Sequence, residues 1–383
     1  MSAPTFEEAS NRRQKVRAAG MDPNYWYAVS LDEKVQRGQV VEVRFWNNSV
    51  ALYRDSKGEL HAMEDRCAHR QIKLSKGQVV GDRLVCDYHG WEYDRDGKLA
   101  KVPHELFGHR MPQCKLKSFA VRVRYGLIWI FFGDQDKAWT TPLPAAPELE
   151  QDDPWACVPI EFTWKAHHSM IMDNVSDFTH EYLHRRYKPF TNAKLTSLKT
   201  EGDIVSLSYD TAVGGGKLTS LFMDKKNVGM DSIELAYEYP YQRSNTNDYI
   251  KHWCLVLPED ERTTKVFFLF YFKSFNVPFT SLKFPRRLME PIIKMANRMH
   301  VIPLLEQDGT ACAEEQAGYE RHYDAPIAEL SPAVHAFQAL TIRKWEEFLA
   351  REDARGTKPG SGLIDASKLT RKPKPAPETA AAE

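Results

Sequence analysis

Two thiols and two imidazoles, Cys67, His69, Cys86 and His89, stand in the order C-x-H-x16-C-x2-H within CAHRQIKLSKGQVVGDRLVCDYHGWEYDRDG. One isolated cysteine is by default a small core residue. An ordered set of two cysteines and two histidines in a turn-rich segment is a ligand set, and it suits zinc or an iron–sulfur cluster. Structural zinc sites usually space paired ligands by two residues or more, a habit that the C-x-H half breaks.

Further along, DNVSDFTHEYLH gathers Asp173, Asn174, Asp177, His180 and His184. Burying such groups is costly unless they are paired. The pattern over 164–185 predicts a helix. At roughly 100° per residue, Asp173, Asp177, His180 and His184 then fall within an arc of about 60°, with Asn174 at its edge. On that helix two imidazoles four residues apart reach a common metal. Alone, H-x3-H is a weak signal, and a solvated polar face is its ordinary explanation.

The elements that must position these groups form an α+β pattern, strands in runs followed by helices. Residues 5–19 read as a short amphipathic helix. The region 25–135 is β-rich, with alternating segments such as VVEVRFW and VALYRD and a hairpin turn at DRDG. The Pro-rich, acidic stretch 140–155 marks a domain boundary. DIVSLSYDTAV, SIELAYEYP, IKHWCLVLP and KVFFLFYFKSF then read as antiparallel strands, and 285–322 and 333–352 as helices. VFFLFYF (266–272) is most simply a strand buried on both faces. His167 and His168 are core or surface residues rather than ligands, and Arg70 fits a surface position as well as a contact across its domain. GGGKL (214–218) lacks the spacing of a phosphate-binding loop. The tail from Gly356 has little to bury and is expected to be disordered.

The 67–97 segment resembles the Rieske [2Fe–2S] signature over its whole length. From Tyr25 to about Trp345 the chain resembles the terminal oxygenase (alpha) component of the Rieske non-haem iron oxygenases. The resemblance implies that Cys67 and Cys86 bind one iron of the cluster, and that His69 and His89 bind the other. It implies that Gly90 allows close backbone approach while Trp91 and Tyr93 shield the cluster. His180 and His184 would hold a mononuclear iron, two histidines and one carboxylate being the facial triad of such oxygenases. Asp177 would bridge an iron ligand and the cluster of a neighbouring subunit, with Asn174 an amide near the iron. Asp173 stands where many members have Glu. The expected third ligand is a late Asp in E-D or Q-D context, and PLLEQDGTACAEEQ supplies Asp308. Glu306, Glu314 and Glu315 compete, each with a solvated helix face as its ordinary explanation. Most members space the two histidines by four residues; this chain has three, as in the carbazole dioxygenase branch.

The implied organisation is an N-terminal helical segment (1–24) packing on the oxygenase, a Rieske domain (25–148), a catalytic domain of helix-grip type (149–355) and a tail (356–383). The implied function is oxidation of a hydrophobic, aromatic or polycyclic small molecule with O2. Electrons come from NAD(P)H through a ferredoxin and/or a flavin-containing reductase, since no nicotinamide or flavin site is visible. The productive pair of centres would come from neighbouring subunits of a homotrimer. Hydroxylation or demethylation is preferred over ring cis-dihydroxylation. Two other classes compete, a Rieske electron-transfer protein without an oxygenase centre and a structural zinc protein. Lys+Arg and Asp+Glu are both 52, so nothing in the charge balance points to nucleic acid or an anionic membrane. With no signal-peptide core, no membrane-length apolar run and only six dilute cysteines, the expected location is the cytoplasm.

Overall fold

A computed structural model describes residues 3–213, 230–273 and 285–354. The GGGKL loop and the tail from Gly356 lie outside these residues. In chain order the elements begin with helix α1 (Arg12–Ala18) and strands β1 (Trp26–Leu31), β2 (Val40–Phe45), β3 (Asn48–Arg54) and β4 (Leu60–Glu64). Then come β5 (Gln78–Val80), β6 (Arg83–Val85), β7 (Glu92–Tyr93), β8 (Leu99–Lys101), β9 (Ser118–Arg124) and β10 (Leu127–Phe131). The chain divides into two compact units. Of the described residues, one gathers Gln36–Val43 and Ser49–Phe119; the other gathers those up to Val35, the short Arg44–Asn48 segment and 120–354.

In the smaller unit β3 pairs antiparallel with β4, and β5-β6-β7-β8 form a four-stranded antiparallel sheet. The turn at Asp94–Gly97 closes as its sequence demands. The Asp94 carboxylate accepts the N–H groups of Asp96 and Lys98, and Gly97 adopts φ +78°. The core contains Tyr53, Met63, Leu74, Leu84, Trp91 and Tyr93 together with Cys67 and Cys86. The candidate thiol ligands are therefore core residues as well.

The larger unit is built on β11 (Ala156–Trp164), β12 (Phe190–Glu201), β13 (Ile204–Val213), β14 (Met230–Glu238), β15 (Tyr241–Thr246), β16 (Ile250–Asp260) and β17 (Thr263–Phe272). They form one antiparallel sheet in the order β11-β17-β16-β15-β14-β13-β12. Helices α2 (His168–Ser176), α3 (Arg286–Ala296), α4 (Ile302–His322) and α5 (Pro332–Ala354) complete it, a wide π turn at Asn297–Val301 joining α3 to α4. On β17, Val266, Phe267, Phe268 and Leu269 are all buried, so the apolar run has both faces covered, as expected. Burial of each large apolar side chain contributes roughly 1.5–3 kcal/mol. The polar edge strand β12 was not legible: TNAKLTSLKTE carries no apolar alternation, and most of its side chains are half-buried or exposed.

The helix expected over 164–185 is corrected. Trp164 ends a strand, the helix covers only His168–Ser176, and Asp177 turns extended at φ −112°, ψ 105°. Short polar side chains compete for the backbone here. The Ser176 hydroxyl donates to the Asp173 carbonyl (2.9 Å), and the Asp177 carboxylate accepts the Thr179 N–H (2.8 Å). His180 and His184 therefore do not share a helical face with Asp173. They lie on successive tight turns, in which Leu183 N–H donates to the His180 carbonyl and His184 N–H to that of Glu181.

Helix α4 lies close against the sheet at Gly309, where a Cβ would come 2.5 Å from the Trp164 indole nitrogen. Trp164 is buried and has no room to yield. Gly309→Ala is expected to cost about 1–3 kcal/mol through overpacking and to lower the bound iron of the larger unit, since Asp308 is the adjacent residue. Urea unfolding and metal analysis of the variant check both.

Candidate metal centres

In the smaller unit the loop after β4 carries Cys67 and His69, and the β6–β7 connection carries Cys86 and His89. Each pair sits on a closed turn. Gln71 N–H donates to the Cys67 carbonyl (2.8 Å) and Gly90 N–H to the Cys86 carbonyl (2.9 Å). Gly90 holds φ +69°, and a Cβ there would meet Pro103 Cγ at 2.9 Å. Both sulfurs are buried, whereas the imidazoles keep an exposed edge, with their Nδ1 atoms 3.1 Å apart. Burial pushes the Cys86 thiol up and its neighbour Cys67 adds to this, while the N–H groups of Tyr88 and His89 donate to its sulfur and oppose the rise. Tyr93 Oη accepts the Ala68 N–H (2.9 Å) and lies 3.2 Å from Cys67 Sγ, so its own hydrogen is free for the sulfur. Trp91 stacks on His69 with centroids 4.8 Å apart and donates to His104 Nε2 (3.0 Å). Two sulfurs inside and two converging ring nitrogens outside fit a cluster with one iron on Cys and the other on His.

In the larger unit three sequence-distant groups converge. Asp308 Oδ1 lies 3.2 Å from His184 Nε2 and 3.5 Å from His180 Nε2, and the three candidate ligand atoms fall within 4.8 Å of one another. The Asn174 amide donates to the same carboxylate oxygen at 3.2 Å. His184 Nδ1 meets Gln307 Oε1 at 3.0 Å, a bond that makes Nδ1 the donor and leaves the Nε2 lone pair for a metal. Burial pushes the His180 pKa down against the opposing charge of Asp308, and the Asp177 backbone carbonyl accepts from its ring. Burial also works against the charged form of His184, but its bond to Asp308 prevails and holds it above its usual range. Phe190 presents its ring to both imidazoles at 5.2 and 5.7 Å. Two imidazole nitrogens and one carboxylate oxygen on a partly dry wall fit a divalent iron with open positions.

Asp177 is half-buried, its carboxylate on the Thr179 N–H. Of the competitors for the third ligand, Glu306 and Glu314 are exposed, while Glu315 pairs with Arg17 at 2.7 Å. His167 and His168 are both buried, as core residues. His167 Nδ1 bonds the Ser169 hydroxyl (2.8 Å) and His168 Nε2 the Ala19 carbonyl (2.9 Å). Arg70 is exposed. Three participants escaped the sequence reading. Gln307 was adjacent to a candidate ligand and could have been found; His104 and Arg17 carried no local signal.

Arg17 reaches from α1 to Asp173 (2.6 Å), Glu315 (2.7 Å) and the Ser169 hydroxyl (2.7 Å), and Gln338 Nε2 from α5 also donates to Asp173 (2.8 Å). Burial acts to lower the Arg17 pKa, but the two carboxylates outweigh it and keep the guanidinium charged. Burial pushes the Asp173 carboxyl up to about 6, so the pair is ionised at neutral pH.

Comparison with known proteins accords with these two centres. Residues 25–113 match the Rieske [2Fe-2S] domain, and residues 164–352 match the vanillate O-demethylase oxygenase C-terminal domain. The chain belongs to the Rieske non-haem iron oxygenases: it is a terminal oxygenase, carries a [2Fe–2S] cluster and a mononuclear iron, and depends on a separate electron donor. A similar protein is the 4beta-methylsterol monooxygenase of Methylococcus capsulatus, 45% identical over 352 residues, covering 91% of this chain and 95% of that one. The vanillate O-demethylase oxygenase subunit of a Pseudomonas strain is 32% identical over 191 residues, 48% of this chain and 52% of that one. Among solved structures, dicamba monooxygenase bound to dicamba superposes with TM-score 0.69 at 20% identity, covering 88% of this chain and all of that one. A Pseudomonas putida NdmA variant with caffeine gives 0.64 at 22%, covering 93% and 97%. Both share the fold.

Arg17→Met leaves Asp173 buried without its cation and is expected to cost about 3–5 kcal/mol. Denaturation of the purified variant measures the loss, and an intact visible cluster spectrum places it in the larger unit.

Proposed function

We propose that this enzyme oxidises a methyl group on a rigid, largely hydrocarbon ring system, with 4-methylated sterols as the substrate class. The observation that carries this reading is the 45% identity sustained over 352 residues with a 4beta-methylsterol monooxygenase. The aromatic wall of β17 and β11, where Phe268 meets both Phe162 and Trp164, suits such a substrate. The change inserts one oxygen atom of O2 into a C–H bond and releases the other as water. The two electrons come from NAD(P)H through a ferredoxin and/or a flavin-containing reductase, and two protons come from solvent.

In this proposal Cys67, Cys86, His69 and His89 hold the cluster and His180, His184 and Asp308 the iron. When bound, these groups supply single electrons and dioxygen activation. The chain's own residues do the rest. Asn174 steadies the Asp308 carboxylate, Gln307 fixes the His184 tautomer, and Asp177 accepts from the His180 ring through its carbonyl. By sequence the Rieske domain runs over 25–148 and the catalytic domain over 149–355, with 1–24 packed on the latter, and the matched ranges fall inside them; of the first stretch, Gln36–Val43 and Ser49–Phe119 make up the smaller compact unit and the rest lies in the larger. The assembly is a homotrimer in which neighbouring chains pair cluster and iron. The cytoplasm is its compartment, which suits six cysteines none of which is paired in a disulfide. No helix among the described residues is long and apolar enough to cross a membrane.

Incubation with a donor system, O2 and a panel of 4-methylsterols and methoxyaromatics should yield hydroxymethyl or further oxidised sterol products. A cis-diol, or turnover of methoxyaromatics alone, refutes the substrate reading. His180→Ala should drop from about three irons per chain to about two and abolish turnover while the cluster spectrum stays intact.

A further inference from the structure

The sheet of the larger unit meets α4 on the face that carries Trp164, and on it a few polar side chains stand among apolar ones. Cross-strand partners share a face. One row runs Val158, Phe270, His252, Ser244, Leu235, Leu207 across β11, β17, β16, β15, β14 and β13. The row therefore carries a polar pair, His252 and Ser244, between Phe270 on one side and Leu235 on the other.

This face looks toward the iron ligands. Cys254, two residues from His252 and thus on the same face, has its thiol raised first by burial and then by the charge of Asp308. Trp164, which packs against Gly309, belongs to the same face, since its strand neighbour Ile160 pairs with Phe268 and Phe268 pairs with Cys254.

His252 Nδ1 lies 3.1 Å from the Ser244 hydroxyl, and Nε2 has no partner among the described residues. Phe270 lies against the ring at 4.8 Å. Burial pushes its pKa down to about 4, so it is neutral at physiological pH. By exposed area the ring is half-buried. One step along β15, Gln242 is fully buried, and its side-chain carbonyl finds no partner among the described residues.

We propose that His252, steadied by Ser244, binds a hydroxyl group of the substrate on the sheet face that looks toward Asp308. The Ser244 bond permits either tautomer, and an alcohol, being both donor and acceptor, satisfies whichever nitrogen state Nε2 presents. A neutral imidazole among phenyl rings gives no electrostatic reward to a carboxylate. The site therefore selects an uncharged alcohol on a hydrocarbon body, the chemistry of a sterol. The inference rests on the sterol reading above and deepens it by naming residues that impose specificity.

The test pairs one substrate change with one residue change. The holoenzyme and its electron donors are assayed with a 4-methylsterol and with the counterpart in which the ring hydroxyl is replaced by hydrogen. Wild type should favour the alcohol by ~10²-fold or more in kcat/KM, as sites built to hydrogen-bond a hydroxyl do. In His252→Leu the gap between the two substrates should close, chiefly through a higher KM for the alcohol. His252→Gln, which keeps a donor and an acceptor, should reopen part of it. Iron content and the cluster spectrum report on folding of each variant. An undiminished gap in His252→Leu, or an equal loss on both substrates, overturns the assignment while the sterol reading stands. A wild type that turns over neither compound overturns both.

Discussion

The arrangement of the larger unit turns on keeping one carboxylate, Asp308, nearly dry between two imidazoles. A buried carboxylate is costly unless donors surround it. The Asn174 amide donates to it, and the two histidine Nε2 atoms converge on it from another segment, where a metal cation would hold all three. None of them can come close unless α4 lies hard against the sheet, which Gly309 permits by giving Trp164 the space of a missing side chain. The same closeness sets Asp308 over the aromatic face where a ring substrate would rest. Ligand geometry and helix–sheet distance are thus one constraint seen from two sides.

A second buried charge sits behind the first. Asp173 and Asn174 are consecutive but serve opposite directions, Asn174 toward Asp308 and Asp173 toward Arg17, Gln338 and the helices. Through Arg17 the N-terminal helix reaches α2 and α4 at once. Such pairs do little net good to stability compared with apolar packing. Their value lies in direction: a guanidinium fork accepts few alternative placements of the two carboxylates.

Much of this was legible in the residues. The Cys67–His89 spacing and the buried strand Val266–Phe272 could be read because each is a local signal, a ligand spacing or an apolar run, whereas Asp308 was reached only through the family resemblance. The helix over 164–185 was misread because periodicity counts side chains and is blind to the backbone bonds of Ser176 and Asp177 that end it. Those bonds bring His180 and His184 together by turns rather than by helical phase. Strand β12 was missed because a polar edge carries no alternation. Arg17 and the His252–Ser244 pair were hidden for a deeper reason: their partners lie on other elements, and only tertiary packing makes them neighbours.

The π turn at Asn297–Val301 bears on how this centre could vary. A π segment holds one more residue per turn than the helix around it, and such turns gather at functional sites. It acts as a phase adjuster between α3 and α4, because one residue more or fewer in it rotates everything downstream by roughly 100°. Gln307, Asp308 and Gly309 are consecutive, so that rotation would carry all three away from the histidines, the tautomer bond and Trp164 together. The iron-facing side of α4 can therefore change its side chains one at a time, but not its length ahead of them.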